Sequence, residues 1–301
     1  MLEVTCRCYE KNTLVSIVLT SERPRRHIAR RAQAGGNSHI STVTCSRTHY
    51  DLRCAQRKFP RNSNQLILTK TYDDPTILPP TARNAWTFLE TNSASAIMKA
   101  VCPTEWAEVV DILSTYRLNP STWLRKGGNR GHVPKEIDKE FAKRGWKEAR
   151  LDLETTTLIQ DKGKNSKPTS LPPLHQEGYF VDNYKNRIVL DVEWAAKDGN
   201  LDRDLAAYRS WHEAGAINAG IIITRDREDL FKLANHLWTN YQMGLPPAQR
   251  QAKFKLPVDL HTTTTTALDK AELRVRRGVM GTCPILIVAA NRSTWNGKPY
   301  I

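Results

Sequence analysis

The chain has 301 residues, of which 40% are hydrophobic and 25% charged, and carries a formal net charge of +14. That length holds one large domain or two small ones, and the composition is that of a soluble globular protein. Its longest apolar runs, such as 283–290, are strand-sized, and 13–20 is too polar for a signal peptide, so the sequence predicts no membrane span and a cytoplasmic location with reduced thiols.

The charge is uneven along the chain. Residues 1–70 hold 13 Lys/Arg against 4 Asp/Glu, a net of +9, and the remainder holds 32 against 27, a net of +5. Segments such as Arg23-Pro-Arg-Arg-His-Ile-Ala-Arg-Arg31 and Ala34-Gly-Gly-Asn-Ser38 lack sustained periodicity. Residues 1–80 are therefore expected to form a basic, largely disordered extension, with Pro75 and Leu78-Pro-Pro80 marking the boundary to a domain at 81–301. Cys6, Cys8, Cys45 and Cys54 have no zinc-finger spacing and read as free thiols.

Past the boundary, 103–113 shows apolar residues at helical spacing, with Thr104 as N-cap, and 134–144 reads as a second helix with Pro134 in its first turn and Gly145 beyond its end. Between them lies Arg125-Lys-Gly-Gly-Asn-Arg-Gly131. It is either a solvated connection or a DNA-contacting loop in which glycine permits close approach while Arg125, Lys126 and Arg130 meet phosphate or guanine. Residues 151–159 read as a strand and 161–173 as a polar loop. Later come a helix at 201–214, which packs either in the core or against a second subunit, a buried strand at 219–224 and a helix at 227–241. Strand alternating with helix implies an α/β fold, a mixed central β-sheet flanked by helices. The run Thr262 to Thr266, including Thr263 and Thr264, together with Arg276 and Arg277, offers hydroxyls and cations for phosphates and base edges.

The most informative stretch is Phe180-Val-Asp-Asn-Tyr-Lys-Asn-Arg-Ile-Val-Leu-Asp-Val-Glu-Trp194. From Ile188 onward apolar and acidic residues alternate, so on a strand Asp191 and Glu193 share one face and Ile188, Leu190 and Val192 the other. Asp182, nine residues earlier, is brought beside them by a preceding short strand and a turn at 183–186. Three converging carboxylates form an oxygen-rich site for a hard divalent cation, Mg2+, able to activate water for phosphodiester cleavage. His175 and Glu177 lie close enough upstream to support these ligands. On the alternative reading, the acidic residues are merely the solvated face of an amphipathic strand.

The run Asp182-x-x-Lys185-x-Arg187, the following Asp191-x-Glu193-Trp194, the continuation from Lys197 to Asp204 and the tail from Arg276 to Val288 resemble the catalytic core of BglII/BstYI-like type II restriction endonucleases, within the PD-(D/E)xK nuclease superfamily. The resemblance covers about residues 85 to 290. Two positions depart from it: Asp191 stands where such enzymes usually have Glu, and Glu193 where the superfamily usually has Lys and BglII-like enzymes often Gln. Glu193 is similar to the all-carboxylate arrangement of BamHI-like sites. The resemblance implies a prokaryotic homodimer that cuts double-stranded DNA at a short palindromic site with Mg2+, with Asp182, Asp191 and Glu193 as metal and catalytic residues and Lys185 at the DNA. A repair or junction-resolving nuclease on the same scaffold and a non-catalytic basic DNA-binding protein are the other classes compatible with the sequence.

Overall fold

A computed structural model describes residues 68–301, apart from 126–130, 161, 163–166, 261 and 263, together with the backbone of 4–10, 13–19 and 29–31. The chain divides into two compact units, Met1–Phe59 and Pro60–Ile301. In the first, β1 (Val4–Glu10), β2 (Thr13–Leu19) and β3 (Ala29–Arg31) form an antiparallel sheet. Local strand structure is thus present where the sequence showed no periodicity. The side chains of Cys6 and Cys8, and Cys45 and Cys54 entirely, lie outside the described residues.

The second unit is built on a seven-stranded mixed sheet in the order β4-β5-β14-β13-β12-β11-β6. Its strands are β4 (Leu68–Thr69), β5 (Trp86–Thr91), β6 (Lys147–Arg150), β11 (Phe180–Lys185), β12 (Ile188–Val192), β13 (Ala219–Arg225) and β14 (Ile285–Ala290). The central three, β12, β13 and β14, run parallel, and the flanking pairs are antiparallel. β12, β13 and β14 are buried at every position, the near-continuous apolar pattern of strands covered on both faces. Two short ribbons project from the β6 edge: β7 (Leu153–Thr155) pairs with β10 (Leu174–Gln176), and β8 (Leu158–Ile159) with β9 (Thr169–Ser170). The single strand expected over 151–159 is broken into β7 and β8, both exposed on their outer faces.

Helices cover both faces. On one, α1 (Pro80–Arg83), α2 (Ala94–Val101), α3 (Pro103–Thr115), α4 (Pro120–Trp123), α5 (His132–Ala142) and α7 (Arg227–Gly244) pack over Ile188, Leu190, Val192, Ile221 and Ile223. On the other, α6 (Gly199–Glu213) and α8 (Leu268–Arg276) pack over Val181, Val189, Ile222 and Ile287. α6 turns Leu201, Leu205, Tyr208 and Trp211 to the sheet, which makes it a core helix. The N-cap of α3 is Cys102, without a side-chain hydrogen bond; Thr104 sits inside the first turn because Pro103 takes the first helical position, which needs no donor. Residues 68–79, assigned to the extension from sequence, belong to the sheet-bearing unit: Thr69 and Thr71 hydrogen-bond the buried Glu90 of β5.

Candidate active site

The β11–β12 hairpin positions the predicted carboxylates. Its turn is only Asn186 and Arg187, with φ of 43° and 68°, as a two-residue type I′ turn requires. β11 therefore continues through 183–185, where the sequence suggested the turn, and Lys185 pairs with Ile188. On its other side the ladder to β6 slips between Val181 and Tyr184, and Asp182 stands at that irregularity. There Asp182 and β12 exchange bonds: Asp182 N donates to Asp191 Oδ1 at 2.9 Å, and Val192 N donates to Asp182 Oδ2 at 2.9 Å.

Asp191 is 3% exposed, and its Oδ2 accepts from the hydroxyls of Tyr208 (2.7 Å) and Tyr179 (2.8 Å). Burial pushes its pKa up to about 6, the charge of Asp204 adds to the rise, and the three donors oppose it. Glu193 follows β12 directly, its N–H bonded to Ile223 O at 2.8 Å. Burial first, then Asp204 and Asp191, push its pKa up to about 8. Glu193 Oε2 is buried with no hydrogen-bond partner, as is Asp204 Oδ2. As carboxylates these two leave each other unsatisfied; a proton on Glu193 lets it donate to Asp204.

Asp204 comes from the first half of α6 and is wholly buried. Burial raises its pKa against the pull of Arg203, whose Nε donates to Asp204 Oδ1 at 2.8 Å. The Arg203 guanidinium lies 4.1 Å above the Tyr179 ring and 4.0 Å from Glu193 Oε1, so it partly offsets the crowded negative charge. Asp182, Asp191 and Glu193, with Arg125, Arg203 and Arg225, line one cleft of about 1180 Å³. It opens at the carboxyl ends of β12 and β13, the edge at which parallel strands receive ligands.

As the side chains stand, no three His, Cys, Asp or Glu residues among the described residues are gathered as a metal-ligand set. The donor chemistry nevertheless fits a hard cation. Three carboxylates line one cleft, burial and then neighbouring negative charge raise the pKa values of Asp191 and Glu193, and Glu193 Oε2 has no partner.

Other predicted residues scatter. Thr264 is exposed, its carbonyl accepting from Asp198 N at 2.9 Å, while Lys126, Arg130 and Thr263 lie outside the described residues. Lys185 sits at the far end of the hairpin, its Nζ bonded to Glu108 (2.7 and 2.9 Å) and to Arg144 O (2.8 Å). Arg276 pairs with Glu272 in the last turn of α8, and Arg277 follows it. Both stand near the start of β14, whereas the cleft opens where the strands end, at the level of Arg225 and Ala290. His175 pairs with Glu154 (3.3 Å) and Glu177 with Arg150 (2.7 Å), both near the exposed β7–β10 ribbon and away from the cleft. The residues that support Asp191 are instead Tyr179 and Tyr208. Tyr208 and Asp204 had a visible signal: they share a stripe with Leu201, Leu205 and Trp211 at helical spacing, so an acid and a hydroxyl faced an apolar core.

The match to known proteins now has a geometric setting. Residues 86–290, from the start of β5 to the end of β14, match the family model for restriction endonuclease BglII/BglIII. The chain belongs to this family. As a BglII/BglIII-type restriction endonuclease it is a nuclease whose substrate is DNA. No curated protein matches the chain. The family match encloses every carboxylate of the cleft and leaves the first unit outside. Among the described residues no helix is long and apolar enough to cross a membrane.

Proposed function

We propose that the chain is a type II restriction endonuclease that hydrolyses double-stranded DNA at a short palindromic site in a Mg2+-dependent reaction, working as a homodimer in the prokaryotic cytoplasm. One observation carries the reading: Asp182, Asp191 and Glu193 converge on one cleft, with a buried carboxylate oxygen of Glu193 left unpartnered. These three residues would hold the cation. When bound, Mg2+ supplies a Lewis acid that lowers the pKa of water and neutralises charge developing on the phosphate.

The chain's own groups do the remaining work. Asp191 is fixed by three donors, so its carboxylate meets the site already oriented. Once ionised, Glu193 accepts a hydrogen bond from the attacking water at Oε2, the buried oxygen without a partner, and takes its proton. Arg125, which lines the cleft, is assigned to the duplex together with Lys126, Arg130, Thr263 and Thr264. Two copies related by a two-fold axis cut the two strands of a site with the same symmetry.

Asp182→Ala and Glu193→Ala tests the assignment. Each should reduce plasmid cleavage in Mg2+ by about 100-fold or more in a protein that still folds, and Asp182→Ala should also lower Tm because Val192 N loses its acceptor. Ca2+ should raise the Tm of the wild type and have less effect on either variant. Cleavage at near wild-type rate by either would remove the residue from the site.

A further inference from the structure

Arg225 closes β13 at its cleft end and is 1% exposed, among the largest fully buried side chains of the molecule. Its guanidinium has five N–H donors. One donates to Thr265 Oγ1 at 3.0 Å, and Nε is buried with no partner. Its hydrogen bond to Thr265 is to a neutral hydroxyl, no carboxylate among the described residues forms a salt bridge with it, and the charge of Asp259 favours its ionised form. Burial, then repulsion from Arg227, lowers its pKa to about 10, which still leaves it cationic at neutral pH.

A buried cation that no carboxylate meets in a salt bridge is costly to the folded chain. It lines the same cleft as Asp182, Asp191 and Glu193, at the carboxyl edge of the sheet, and that cleft is where an anion would reach it. Thr265, whose Oγ1 also donates to Thr262 O at 3.2 Å, holds one side of the guanidinium and leaves Nε directed elsewhere. The threonine run thus serves the cleft through Thr265, which orients a cation.

We propose that Arg225 is the phosphate anchor of the cleft: its guanidinium takes a phosphodiester oxygen of the bound duplex and receives from DNA the direct ion pair that no carboxylate among the described residues makes with it. This rests on the cleft being the DNA-binding site of a nuclease. Arg225 is a binding and positioning residue, holding the backbone while the carboxylates act on a neighbouring phosphate.

The test compares wild type, Arg225→Met and Arg225→Lys as full-length protein. Binding is measured on a random-sequence duplex in Ca2+ over a range of salt concentrations, with thermal melts without DNA and plasmid digestion in Mg2+. Arg225→Met, similar in shape and uncharged, should bind roughly tenfold more weakly, with the log–log salt slope reduced by about 0.9, the value for one lost phosphate contact. Its DNA-free Tm should equal or exceed that of wild type, because an unpaired buried charge is gone. Arg225→Lys should keep the salt slope. A lowered Tm or loss of folding in Arg225→Met would assign Arg225 to the fold and overturn the proposal. So would unchanged affinity for the random duplex with an altered set of plasmid fragments, the signature of a base-reading arginine. Failure of the nuclease reading shows separately, as wild-type protein that leaves plasmid intact in Mg2+. The binding arm still decides Arg225 in that case, and equal affinity of wild type and Arg225→Met overturns it.

Discussion

Glu193 shows how the site stores unfavourable charge. In the folded protein its pKa stands at about 8 against an ordinary 4.5, chiefly from burial and then from Asp204 and Asp191. The unfolded chain therefore releases this proton first. Stability that depends on neutral Glu193 is complete below about pH 4.5 and declines as pH rises toward 8, where the folded form also ionises. Glu193→Gln keeps the shape and stays neutral, so in metal-free protein it should flatten unfolding free energy against pH between 5 and 8 by about 1 to 3 kcal/mol. Denaturant melts across that window check it, and an unchanged slope would mean the carboxylate is well solvated.

At the scale of elements, Gly220 links the sheet to the site. It lies in β13, paired with Val189 on one side and Ile285 on the other, so its backbone is fixed. A Cβ there would stand 2.3 Å from Tyr208 Cδ2 and 2.6 Å from Cε2. Gly220→Ala should cost about 1 to 3 kcal/mol through overpacking and also reduce cleavage, because Tyr208 carries the hydroxyl that orients Asp191. A Tm and a cleavage rate both at wild-type level would show that α6 has room to move. α8 gives the opposite expectation: Arg276→Ala with Arg277→Ala should leave binding and cleavage unchanged, since both residues stand at the end of the sheet away from the cleft. A loss of affinity in competition binding would extend the DNA interface to that edge.

The same elements show what the sequence made legible. Alternation from Ile188 to Glu193 and the spacing to Asp182 sufficed to place the three carboxylates in one cleft, because a strand's period fixes which side chains share a face. The long periodic helices α3, α6 and α7 and the apolar strands β13 and β14 were readable for the same reason. Asp204 was legible only as an acid on the apolar stripe of α6, and Arg225 was not legible at all, since it becomes notable only when burial shows that its charge lacks a full complement. His175 and Glu177 were chosen by proximity in sequence, yet the chain passes through an exposed ribbon before Tyr179 enters the site. Arg276 and Arg277 were chosen by composition, which is silent on which end of a helix faces the cleft.

On the scale of the whole molecule, the division after Phe59 decides where the chain can be cut. Deleting 1–59 removes 11 Lys/Arg and 4 Asp/Glu, a net +7, and leaves every residue of the seven-stranded sheet in place. The unit Pro60–Ile301 should fold, cut DNA into the same fragments, and bind non-specific duplex with lower affinity and a shallower salt dependence. Cutting at 80, the boundary read from the proline signals, should behave differently. Glu90 is 1% exposed and accepts from Thr69 Oγ1, Thr71 N, Thr71 Oγ1 and Ser95 N. A chain starting at 81 keeps only the Ser95 bond and leaves a buried carboxylate largely unsatisfied, at a cost of about 3 kcal/mol or more. Thermal melts of the two truncations separate these outcomes. Equal stability would show that residues 60–80 are dispensable, and an insoluble 60–301 fragment would show that the first unit is needed by the sheet it precedes.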